Sequence, residues 1–153
     1  MKALELKVPP LMVVLVAAGL MWCLASYAPI VLITFAGQTL IAALMAILGM
    51  QIVIAGARAC YARETTVNPL KPEESSSLIT DGVFKFSRNP IYLGLLVMLI
   101  GLAVWLGALT PLLILPIFVW YLNRFQIIPE ERSLRNQFND QYVSYSQRTR
   151  RWL

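Results

Sequence analysis

The sequence predicts an all-α integral membrane protein, with four transmembrane helices arranged as two hairpins and a C-terminal amphipathic helix in the cytosol. Three observations carry this reading. Hydrophobic residues make up 58% of the chain and charged residues only 14%, against about 25% charged in soluble domains. Four apolar stretches are long enough, or nearly so, to cross a bilayer, which takes about 20 residues of helix. No charged residue lies within residues 9–57 or 91–123.

The spans are expected at residues 9–28, 30–57, 91–107 and 109–125. A turn at Pro29 and another at Gly107-Ala108 join them into antiparallel pairs. Pro111 and Pro116 argue against a straight fourth helix, although helices in lipid tolerate proline better than soluble ones do. The short turn from the first span into a second apolar one favours a retained hairpin over a cleaved signal peptide. The chain divides into an N-terminal hairpin, residues 1–60, and a core of loop, second hairpin and C-terminal helix, residues 61–153.

The 13 Lys and Arg fall in three places: Lys2 and Lys7, the loop from Arg58 to Arg88, and the tail from Arg124 onward. The two short turns carry no charge. Positive residues near span ends favour the cytoplasmic side, so both termini and the central loop are expected there. Topology and anionic headgroups then account for the net charge of +5 without any nucleic acid.

Composition narrows the chemistry. There is no histidine and there are two cysteines, Cys23 and Cys60. A His-based triad and a His-ligated metal are excluded within the chain, and neither a disulfide framework nor a metal site is expected. No Asp, Glu, Lys or Arg lies within residues 9–57 or 91–123, whereas pumps and transporters normally carry one on the substrate path. Gly49, Gly56, Gly101 and Gly107 read as close helix-packing positions.

Two polar regions remain. In Gly82-Val-Phe-Lys-Phe-Ser-Arg-Asn-Pro90, aromatic and basic residues alternate ahead of the third span. Interfacial anchoring explains that pattern, and so does a built site. Asn89 suits a helix cap and Pro90 the first helical position, so the turn that follows offers N–H groups and a positive dipole end at the membrane surface. Such an end holds carboxylate or phosphate. Arg88 can fork onto an anionic group, and Gly94 lets a flat ligand approach the backbone. In the tail, Glu130 and Glu131 follow Pro129, and Leu134, Phe138, Tyr142 and Tyr145 recur at helical spacing on one face. Arg132, Arg135 and Arg148 lie off or beside that face. Resting on the bilayer would account for this helix equally well.

The segment Leu78-Ile-Thr-Asp-Gly82-Val-Phe84-Lys85-Phe86-Ser-Arg88-Asn89-Pro90-Ile-Tyr92-Leu-Gly94 is followed by Glu130-Glu131, Leu134, Phe138, Tyr142, Tyr145 and Arg148. Together they resemble the isoprenylcysteine carboxyl methyltransferase and phospholipid methyltransferase superfamily, over residues 65–153. The first two spans match only as generic membrane helices. The resemblance implies methyl transfer from S-adenosylmethionine at the cytosolic membrane face to a lipophilic small molecule or lipid. It implies that Asn89, Tyr92, Gly94, Glu130, Glu131 and Tyr142 line the cofactor pocket, with Arg88, Glu131 and Arg148 nearest the acceptor. Two positions depart from the eukaryotic isoprenylcysteine enzymes: Asn89 stands where they have His, and Asn139 where they have Gly. Asn tolerates a left-handed backbone, so the second change is expected to be mild. The alternatives are a non-catalytic membrane accessory module and, within the same superfamily, a nicotinamide-dependent reductase.

Overall fold

A computed structural model describes residues 5–64, 70 and 72–153; Lys2 and part of the central loop lie outside the described residues. Those residues are helical with no extended sheet, one isolated bridge apart. The helices are α1 (Pro10–Tyr27), α2 (Gln38–Ala62), α3 (Pro90–Leu106), α4 (Ile114–Leu122) and α5 (Ile128–Arg148). A π-helical segment, Asn123–Ile127, joins α4 to α5 without a break. Three helical stretches are long and apolar enough to cross a membrane, and α3, with 17 residues, is a shorter apolar helix. The protein is an integral membrane protein.

The second helix departs from expectation. It begins at Gln38 rather than at residue 30, because residues 28–37 form an extended connection. Pro29 and the β-branched run Ile30-Val31, Ile33-Thr34 disfavour helix here, and Gly37 at φ +85° ends the segment in a conformation suited to glycine. The segment finds its hydrogen bonds in the other connection. Ile33 N–H donates to the Gly107 carbonyl (2.8 Å) and Leu109 N–H to that of Val31 (3.1 Å), around a bridge between Leu32 and Ala108. Gln38 Nε2 donates to the Val104 carbonyl at 2.7 Å, at the end of α3. Both uncharged connections therefore lie at one end of the molecule.

Helix α3 is central and packs against α1, α2 and α4. Its tightest seam runs across the two expected hairpins, along α2. A Cβ on Gly49 would lie 2.6 Å from the Gly94 carbonyl oxygen, and one on Gly56 2.8 Å from Ile91 Cγ1. Small residues let these two backbones touch. On the other side of α3, Met21, Leu99, Ala103, Phe118 and Leu122 are buried together. Large apolar residues such as Leu15, Leu44, Ile47 and Ile117 face outward, as lipid contact requires.

The fourth apolar stretch is not one regular helix. Pro111 sits in a 3₁₀ turn, Thr110–Leu113, and Pro116 in the first turn of α4, where its missing N–H costs least. Asn139 breaks α5 with φ +44° and ψ −119°, so the expected amphipathic helix is two helical pieces.

Candidate functional site

At the charged end, the start of α3 meets α5 and encloses a cavity of about 410 Å³, within the range of about 300–1,000 Å³ usual for small-molecule and cofactor sites. Pro90 opens α3 as expected, but Asn89 does not cap it. Its side-chain amide donates to the Arg151 carbonyl at 3.0 Å. The backbone around it is held the same way: Arg88 N–H donates to the Arg150 carbonyl at 3.0 Å, and Ser87 Oγ to that of Arg151 at 3.3 Å. Residues 149–152 thus turn back as a strap over the segment before α3. Tyr145 reinforces the strap, its hydroxyl donating to the Phe84 carbonyl at 2.7 Å.

The acidic pair divides into two environments. Glu131 pairs with two guanidinium groups: it accepts from Arg151 Nη2 at 2.6 Å and forms an ion pair with Arg88 Nη2 at 2.9 Å. Glu130 accepts a hydrogen bond from the Tyr92 hydroxyl at 3.0 Å. It lies in α5, beyond the apolar stretch, and burial in the cavity wall pushes its carboxyl up to about 7. The Tyr92 bond works against this rise and the neighbouring Glu131 charge adds to it. Burial, and then Glu131, push the Tyr142 phenol up to about 12. Its ring lies 6.0 Å from the Arg88 guanidinium carbon, within reach of a cation–π contact. The bond to Glu131 raises the Arg151 guanidinium further.

Arg88 carries the one buried side-chain donor among the described residues that lacks a protein partner, its Nε. An unpaired buried donor is costly, and here it belongs to a residue that lines the cavity. The rest of the wall is apolar and drawn from three membrane helices, with Leu11 of α1, Val53 of α2 and Leu95 of α3. Residues 72–79 and Phe84 supply loop contacts. No group of three or more His, Cys, Asp or Glu suited to a metal ion occurs among the described residues.

Of the expected site residues, Arg88, Asn89, Tyr92, Glu130, Glu131 and Tyr142 all line this cavity. Two do not. Gly94 is turned into the α2–α3 seam, where a Cβ would lie 2.5 Å from the Gly49 carbonyl oxygen and 2.7 Å from Val53 Cγ2. Its bareness serves helix packing. Arg148 is exposed, with its Nε bonded to the Ser144 carbonyl; the chain leaves the helix after it, and Arg151 reaches the cluster instead. The sequence signal for Arg151 was the basic run Arg148-Thr-Arg-Arg151 at the end of the aromatic face.

Fold and site define an integral membrane protein with an acidic, arginine-clamped cavity at the charged ends of its helices. The chain belongs to the phospholipid methyltransferase family, which matches residues 37–141, and so to the superfamily it shares with the isoprenylcysteine methyltransferases. It is 34% identical over 79 residues to protein-S-isoprenylcysteine O-methyltransferase B of Arabidopsis thaliana, covering 52% of this chain and 40% of that one. It is 29% identical over 75 residues to the protein-S-isoprenylcysteine O-methyltransferase of Schizosaccharomyces pombe, covering 49% and 32%. An uncharacterized protein of Haemophilus influenzae is 43% identical over 63 residues, all of its own length and 41% of this chain. The chain spans less than half the length of the two named methyltransferases. No solved structure matches.

Proposed function

We propose that this protein is an S-adenosylmethionine-dependent methyltransferase that works at the cytoplasmic membrane face on a lipophilic small molecule or lipid. The observation that carries the reading is the cavity itself. It joins an orphaned Arg88 donor, the Glu130–Glu131 pair and the Tyr92 and Tyr142 phenols to an apolar wall from three membrane helices.

These residues fit the cofactor. The free Arg88 Nε suits its carboxylate, Glu130 its positive charge, and the tyrosines its flat and cationic parts. Arg88, Asn89, Tyr92, Glu130, Glu131 and Tyr142 would hold it. When bound, it supplies a methyl carbon activated by a sulfonium. The protein's own work is orientation and the exclusion of water: the loop residues and the strap cover the polar end, and Glu131 fixes Arg88 beside the acceptor. Arg148 takes no part. A carboxylate or thiolate acceptor needs no base. An ammonium acceptor must lose a proton, and Glu130, poised near 7, receives it rather than the doubly clamped Glu131.

The chain crosses the membrane four times in this reading. The 17 residues of α3 span about 26 Å as helix, close to a hydrocarbon core of about 30 Å. Both uncharged connections then face away from the cytoplasm, and the distribution of basic residues supports a cytoplasmic site and cytoplasmic termini. Residues 61–153 carry the polar chemistry and, through α3, share the apolar wall with the first two helices, so that a lipid acceptor enters from the bilayer.

The test is calorimetric titration of detergent-purified protein with S-adenosylhomocysteine, the demethylated product. Saturable one-to-one binding supports the reading. Folded protein that binds nothing in detergent or nanodiscs overturns it, and a nicotinamide titration then separates a reductase from a non-catalytic module.

A further inference from the structure

Pro129 removes a hydrogen bond from the helix that carries the acidic pair. In a regular helix the Phe125 carbonyl would accept from the N–H four residues on, and that residue is a proline with none. The chain responds with the π-helical segment Asn123–Ile127, and the Phe125 carbonyl takes its bond from outside the helix. Leu6 N–H donates to it at 3.0 Å. Leu6 holds a left-handed φ of +55° to do so, a strained state that persists only where its surroundings enforce it.

Glu5, one residue earlier, spans the same break. Its Oε1 lies 2.7 Å from Arg124 Nη1 on the α4 side, and its Oε2 3.5 Å from Arg132 Nη1 on the α5 side. The Glu5 side chain is 12% exposed and that of Arg124 30%, so this arm is shielded compared with an ordinary surface pair, whereas the longer arm to Arg132, 56% exposed, is the weaker one. Register matters here. One residue more or less in a helix turns everything beyond it by about 100°, which would carry Glu130 away from Tyr92 and Glu131 away from Arg88.

We infer that Glu5 and Leu6 form a clasp across the Pro129 break that fixes α5 on α4, which makes Glu5 a positioning residue for Glu130 and Glu131. As a statement about cofactor binding, this rests on the function proposed above.

The test uses Glu5→Gln in the full chain, read two ways: S-adenosylhomocysteine affinity, and hydrogen–deuterium exchange without ligand. Affinity is expected to fall on the order of tenfold, a usual scale for coupling between separated groups. Exchange should rise across residues 126–134 while helical content is kept. Arg132→Gln should act in the same direction and more weakly, and the double variant should be no worse than Glu5→Gln alone, as one shared interaction requires. Wild-type affinity and unchanged exchange in Glu5→Gln overturn the clasp and leave the cofactor reading standing. Raised exchange in a protein whose wild type binds no cofactor product upholds the clasp and sinks the cofactor reading. Should Glu5→Gln not fold, Arg124→Gln, which removes the short arm, decides in its place, and unchanged exchange and affinity in it overturn the clasp.

Discussion

Arg151 grips Glu131 with two nitrogens at once, Nε at 3.1 Å from Oε1 and Nη2 at 2.6 Å from Oε2. Paired forks of this kind are directional as well as strong, and Arg88 holds the same carboxylate from the other side. Glu131→Gln leaves two guanidinium groups around a neutral amide. Because Arg151 remains 36% exposed, the cost is reduced by solvent to about 1–2 kcal/mol. Calorimetry should show affinity for S-adenosylhomocysteine falling about tenfold, with the helical circular dichroism unchanged. Arg151→Ala should weaken binding in the same direction, and Arg148→Ala should not change it.

Glu130 predicts a pH dependence. Its folded carboxyl stands near 7, above the ordinary value of 4.5, so below about 7 a cationic ligand must draw off its proton to gain the charge. Affinity for S-adenosylmethionine should rise from about pH 6 to about pH 8, with a binding heat that depends on the buffer. S-adenosylhomocysteine, which lacks the sulfonium charge, should show much less of both. Glu130→Gln should abolish the dependence. Tyr92→Phe, which removes a bond favouring the ionised form, should move it to higher pH. For the free protein the sign runs the other way. The contribution to stability is complete below the unfolded value near 4.5 and is lost as the pH rises through about 7.

Asn139 holds φ +44° and ψ −119°, a region that suits glycine. Asn139→Gly should stabilise the fold by about 1 kcal/mol, raising the melting temperature by about 2–4 °C. Asn139→Val should lower it, and a thermal scan in detergent distinguishes the two.

Gly94→Ala tests whether that residue serves packing. The added methyl would meet the Gly49 carbonyl and Val53, at about 1–3 kcal/mol for overpacking. Thermal stability should fall before any ligand is added. Gly19→Ala, with open space around the new atom, is the control and should be close to neutral or slightly stabilising.

Much of this was legible in the residues. Proline at the start of α3, glycine after its end and asparagine where a glycine conformation is required are local rules, and the structure follows them at Pro90, Gly107 and Asn139. What was hidden is tertiary. Residues 30–37 are apolar enough for a membrane helix; the local bias of Pro29 and the β-branched run against helix is reinforced by hydrogen bonds to the turn after α3, which the sequence does not show. Gly94 could be read as open to a ligand until α2 was seen against it. Helical spacing gave the tail face as far as Tyr145 and the family resemblance added Arg148, but the chain leaves the helix there, and Arg151 comes back to Glu131 along a path that no periodicity encodes.

The Leu6–Phe125 bond joins residues far apart in sequence, and the neighbouring Glu5–Arg124 pair closes a sequence separation of 119. Closing such a loop costs entropy before any contact repays it, whereas each membrane helix satisfies its own backbone. The helices therefore form first and the cavity last. On partial denaturation the order reverses: the clasp and the strap let go while the helices stay wound, and the ability to bind is lost well before the helical signal.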